Sequence, residues 1–126
     1  MIFLCRTEEL SDPGTANVVL GHGEDELDIV IVKTGGKPHA YINCCPHQFI
    51  PLETFPNHFL TEDRRHLVCS GHGALFELAT GICTHGPCTG FALDRLSITE
   101  RDGMIYLDEA LLPAEIARRK RESRRW

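Results

Sequence analysis

The chain has no apolar run long enough to cross a membrane, no internal repeat and no low-complexity linker. Its opening, MIFLC, is too short for the core of a signal peptide and has no basic flank before it. A cytoplasmic protein is therefore expected, in which cysteines stay reduced and serve more often as ligands than as disulfide partners. A phosphate-cradling loop, a dinucleotide fingerprint and a Ser-His-carboxylate arrangement are missing as well. Those gaps leave no sign of a substrate-transforming site of its own. Helical periodicity is also scarce, emerging only after Pro113 in PAEIARRKRESRRW.

What is present suits one modest domain. The 126 residues are 42% apolar and 25% charged, ordinary values for a globular protein of this size. The net charge of −5 conceals an asymmetry: the six basic residues of RRKRESRRW, 118–126, follow an acidic body. An acidic body with no basic face argues against a nucleic-acid partner. The basic end reads as a solvated helix end or tail, the alternatives being a docking segment or self-association through the body.

Short β-branched runs separated by turn signals fill residues 1–107. IFLCR (2–6), NVVL (17–20), LDIVIVK (27–33), HAYIN (39–43), HLVC (66–69), ALFEL (74–78), RLSITE (95–100) and MIYL (104–107) read as strands. TGGKP (34–38) and Asp102-Gly103 read as hairpin turns. The expectation is an all-β domain over 1–110, with a C-terminal basic helix or tail over 111–126.

Six cysteines and seven histidines then pose a question of metal chemistry. Cys45-Pro46-His47 gives C-x-H; after 21 intervening residues, Cys69 and His72 give C-x-x-H. Each pair follows an expected strand, so neighbouring strands can bring both loops to one sheet edge. Two thiolates and two imidazoles suit a tetrahedral zinc. They equally suit a [2Fe–2S] cluster with thiolates on one iron and imidazoles on the other. Common zinc fingers use unmixed pairs; here each pair is mixed, as a two-iron site needs if each loop serves both irons.

Taken in order, CPHQFIPL, CSGHGALFELATGIC and HGPCTGFAL resemble the Rieske [2Fe–2S] family over roughly residues 27–107. Gly73, Phe76, Gly81 and Gly86-Pro87 match the family's second loop, following strand, turn and third loop, and Leu52 matches an apolar position of the first. The resemblance implies an antiparallel β-sandwich or barrel with a cluster-binding subdomain of two loops, about 43–90. It makes Cys45 and Cys69 ligands of the buried iron and His47 and His72 ligands of the outer one. The loop separation is longer than in most small Rieske ferredoxins, which places an excursion within residues 53–66.

By the same resemblance the chain is a one-electron carrier of the small ferredoxin type. Such a carrier links a flavin-dependent reductase to a terminal oxygenase or related enzyme. Neutral imidazoles in place of two thiolates leave the oxidised cluster uncharged and raise its potential into roughly −150 to +300 mV. High-potential relatives bridge their ligand loops with a disulfide, but the matching positions here are Ile50 and Gly71. Ala74 stands where those relatives carry a serine that donates to sulfide. Both departures predict the low-potential branch. The alternatives are the small subunit of a nitrite-reductase-type complex and, from another class, a zinc-stabilised interaction module.

The remaining candidates have plainer readings. Cys83 and Cys88 read as reduced thiols in or near the third loop, with a disulfide or accessory metal pair as the alternative. Cys5 and Cys44 read as small core residues, the latter because strand alternation turns it away from Cys45. His85 reads as a solvent-facing loop residue, and His22, His39, His58 and His66 as surface residues. GEDEL (23–27) reads as a solvated turn or a docking patch for a basic redox partner.

Overall fold

The computed structural model describes residues 1–21, 26–44, 52, 59–69 and 73–108. LDIVIVK is apolar on both alternations, so as a strand it must be covered on both faces. It becomes β3 (Leu27–Thr34), central in a four-stranded sheet that also holds β2 (Gly14–Leu20), β4 (Lys37–Ile42) and β8 (Arg95–Leu96), in the order β2-β3-β4-β8. Period two splits its side chains between two cores. Ile29 and Ile31 join Leu4, Cys5, Ala40, Leu96, Ile105 and Leu107. Val30 and Val32 join Tyr41, Leu52, Phe59, Leu67, Cys69 and Phe76.

Each core is closed by a three-stranded antiparallel sheet. One contains β1 (Ile2–Arg6), β9 (Ile98–Arg101) and β10 (Met104–Leu107), in the order β1-β10-β9. The other contains β5 (His66–Val68), β6 (Leu75–Glu77) and β7 (Cys83–His85). The fold is all-β; among the described residues the one helical piece is a 3₁₀ turn, Thr7–Glu9. The helix expected after Pro113 and the basic tail lie outside the described residues.

Both expected hairpins form. Gly35 and Gly36 join β3 to β4, and Asp102 (φ 53°) with Gly103 (φ 74°) joins β9 to β10. RLSITE does not form one strand. Its first two residues pair with β4 and its last residues with β10, the chain changing sheets at Ser97. Strand β7 was not expected. Its sequence, CTH, is too short and too polar to show alternation, and its register on β6 supplies the reason it forms.

The longer excursion expected between the two Cys/His pairs is described from Phe59 onward. Leu60 bridges Leu67, Thr61 N–H donates to the His66 carbonyl, and Val68 N–H donates to the Phe59 carbonyl at 2.8 Å. Arg64 at its tip donates to Ser11 Oγ at 3.1 Å and to the Pro13 carbonyl. The described part of the excursion, 59–66, is thus one arm and the tip of a small hairpin with β5, anchored on the loop before β2.

Candidate metal centre

Strand β5 delivers Cys69 at its end, and β6 leaves again from Leu75. The turn between them is pinned at its base. Cys69 N–H donates to the Ala74 carbonyl at 2.9 Å, and Gly73 N–H donates to the Cys69 carbonyl at 2.7 Å. Cys69 is wholly buried among Leu52, Leu67, Ala74 and Phe76. An apolar shell of this kind suits a thiolate ligand to a buried, uncharged cluster. Of the four expected ligands Cys69 is described; Cys45, His47 and His72 lie outside the described residues, as do Ile50 and Gly71. Among the described residues no three His, Cys, Asp or Glu side chains converge on a rival metal site.

The stretch bearing Cys45 and His47 is bracketed by a polar relay that sequence reasoning missed. Asn43, 4% exposed, accepts from Leu52 N–H through Oδ1 at 2.8 Å. Its own N–H donates to the Asp28 carbonyl at 2.9 Å, and its Nδ2 donates to Asp28 Oδ2 at 3.3 Å. Asn17 Nδ2 donates to Asp28 Oδ1 at 2.6 Å. A buried amide with both ends bonded fixes position, because leaving either end unmet is costly. The signal available in sequence was a single polar residue closing an apolar strand directly before a ligand pair.

A third segment leans on Ala74, five residues after Cys69. Gly86 has φ +100°, and a Cβ placed on it would stand 2.9 Å from Ala74 Cα. Only a residue without a side chain lets this backbone approach. His85 beside it is exposed, as expected, and its ring meets that of His66 edge-on at 6.2 Å. His66 and His39 are half-buried rather than surface residues. Cys44 is half-buried too: β4 ends at Ile42, so strand alternation does not reach it. Cys5 is core, and burial, with Glu9 nearby, pushes its thiol up to about 11.

The sheet carrying Cys69 is joined to the central sheet by a compact latch. Tyr41 donates its hydroxyl to the Leu78 carbonyl at 2.7 Å, and burial, with Glu77 adding and Arg95 opposing, pushes it up to about 12. Arg95 donates to the Ala79 carbonyl at 2.7 Å and to His39 Nδ1 at 2.9 Å, its guanidinium lying 6.0 Å from the Tyr41 ring centre. Because an arginine only donates, His39 must be neutral and accept through Nδ1. Burial first, then Arg95 and Lys37, hold the His39 pKa below its ordinary 6.5. Gly81 closes the latch: at φ +75°, a Cβ there would come within 2.7 Å of Tyr41 Cε1.

The family model for the Rieske [2Fe-2S] domain matches residues 1–96. No curated protein sequence matches the chain. Among solved structures, the Sphingomonas yanoikuyae B1 ferredoxin superposes with a TM-score of 0.65 at 22% identity, over 85% of this chain and 96% of that one. A chain from the complex of reduced oxygenase and oxidized ferredoxin in carbazole 1,9a-dioxygenase gives 0.67 at 20% identity, over 84% of this chain and 90% of its own. The terminal oxygenase of carbazole 1,9a-dioxygenase from Nocardioides aromaticivorans IC177 gives 0.66 at 17% identity, over 84% of this chain but 29% of its own. At these identities the likeness is one of fold. With its sheets, its buried Cys69 and the family match over most of its length, the chain belongs to the Rieske [2Fe-2S] domain family, whose cofactor is a [2Fe–2S] cluster.

Proposed function

We propose that this protein is a one-electron carrier of the Rieske ferredoxin type. In this reading Cys45 and Cys69 hold one iron and His47 and His72 the other, and electrons pass from a flavin-dependent reductase to a terminal oxygenase or related enzyme. The observation that carries it is the Rieske family match over residues 1–96 on a fold that superposes on ferredoxins, with Cys69 wholly buried at the end of β5. The oxygenase–ferredoxin complex among the similar structures supports an oxygenase as the partner. When bound, the cluster supplies a single electron at a potential set by its ligands and their hydrogen bonds.

The chain's own residues do the rest. Cys69 sits in an apolar shell that keeps water from the thiolate side. The Asp28–Asn43–Leu52 relay fixes the frame of the first ligand stretch, and the Cys69–Gly73 and Cys69–Ala74 bonds fix that of the second. Rigid framing keeps the structural change on electron uptake small, which favours fast transfer. Ala74 donates nothing to a sulfide from its side chain, in keeping with the low-potential branch. An EPR-monitored redox titration tests the proposal: a reduced-state signal of low average g value and a midpoint below +100 mV, within the roughly −150 to +300 mV Rieske range, are expected. Colourless protein without inorganic sulfide would overturn the cluster, and a midpoint well above that value would overturn the low-potential assignment alone.

A further inference from the structure

Strand β7 and the turn after it bring two cysteines together. Gly90 N–H donates to the Cys83 carbonyl at 3.2 Å, Cys83 N–H to the Phe91 carbonyl at 2.7 Å and Phe91 N–H to the Cys88 carbonyl at 2.9 Å. The chain from Cys88 to Phe91 therefore folds back over Cys83. The two sulfurs lie 3.1 Å apart, each residue 2% exposed. Cys83 Sγ also donates to the His85 carbonyl at 3.2 Å.

That spacing discriminates between the uses of a thiol pair. Two thiolates sharing a tetrahedral zinc at about 2.3 Å would stand roughly 3.8 Å apart, so this pair is too close for a common ion. A disulfide requires about 2.05 Å, a closure of roughly one ångström. Between the cysteines, Pro87 lies exposed on the crest of the turn, while Gly86 beside it keeps its approach to Ala74.

We propose that Cys83 and Cys88 form a second redox site, a two-electron dithiol that a small hydroperoxide oxidises to a disulfide. One sulfur attacks the peroxide; the O–O bond breaks, a sulfenic acid forms and an alcohol or water leaves. The second thiol attacks that sulfenic sulfur, the S–S bond forms, the S–O bond breaks and water leaves. Two electrons pass from the sulfurs to the peroxide, and the two thiol protons end in the water and alcohol produced. A small dithiol reductant returns both electrons and both protons by exchange. The near-complete burial of both sulfurs selects a hydroperoxide over a bulky disulfide as oxidant. The site also has a reach beyond itself. Gly86 of the same turn leans on Ala74, whose carbonyl holds Cys69 N–H, so closing the ring stiffens a turn two contacts from an expected cluster ligand. The proposal goes beyond the electron-carrier reading and stands without it.

The test treats the full-length, cluster-loaded protein with hydrogen peroxide or with dithiothreitol, followed by alkylation under denaturing conditions and peptide mapping. The peptide holding both cysteines is expected to be internally linked and unalkylated after peroxide, and doubly alkylated after the reductant. Cys88→Ala should trap a sulfenic acid on Cys83 that a dimedone probe captures, and Cys83→Ala the converse. Two alkylatable thiols persisting in peroxide, a link from this pair to any other cysteine, or zinc retained by the pair through dialysis would each overturn the proposal. Mixed-disulfide formation with oxidised glutathione on the folded protein would overturn the assignment of oxidant.

Discussion

The two cores of this protein are built by different means. On one side of β3, Ile29, Ile31 and Ala40 pack against β1 and β10, where longer strands and branched apolar side chains supply the cohesion. On the other side, β5, β6 and β7 have three residues each, too few for strand pairing alone to hold a sheet. That sheet is held by specific devices instead: the Tyr41–Leu78 bond, the Arg95 bridge and the close approach at Gly81. The first region tolerates exchange among apolar residues of similar volume. The second depends on single groups, as a site meant to hold a cofactor in fixed geometry does.

The comparison can be broken most completely at the cluster side. Cys69→Ser is expected to abolish visible absorbance and the EPR signal, while far-UV circular dichroism keeps the signature of the larger sheets. Cys44→Ser, one position before an expected ligand, should keep its colour. Gly81→Ala comes next. Forcing a Cβ into a positive-φ site 2.7 Å from the Tyr41 ring should cost about 1–3 kcal/mol in chemical denaturation. A loss below a few tenths would mean that the latch yields freely.

Asn43→Ala leaves Leu52 N–H and the Asp28 carboxylate short of a partner and should cost about 1–3 kcal/mol. It should also speed cluster loss to a chelator, whereas a volume change in the other core, such as Ile31→Val, should lower stability without that acceleration. Tyr41→Phe strips the Leu78 carbonyl of its donor for about 1 kcal/mol. The smallest effect concerns pH. His39 has a folded pKa below its ordinary 6.5, so between the two values the unfolded chain binds more protons. Stability of the latch is therefore full above about 6.5 and declines as pH falls further. Thermal melts between about pH 8 and about 5 should show this slope in the wild type and a shallower one in His39→Gln.

Legibility in the sequence followed the same division. The long strands announced themselves because β-branched runs and two hairpin turns are local signals. The mixed Cys/His pairs stood out as a spacing of unusual residue types, and of their four members the described residues include Cys69. RLSITE misled because nothing local marks the change of sheet at Ser97; only the partners β4 and β10 do. Strand β7 was invisible for the same reason, and Asn43 passed as the tail of a strand.

By itself, the order of residues determined that this is an all-β chain carrying two mixed Cys/His pairs in the Rieske pattern, since backbone preference and donor chemistry are properties of neighbours in sequence. Only the tertiary structure decided that Asn43 bonds to Leu52 across the stretch bearing Cys45 and His47, that Gly81 and Tyr41 lock two sheets together, and that Cys83 faces Cys88. Those facts depend on where separate segments meet in space, and contact between distant segments is set by the packing of the whole chain.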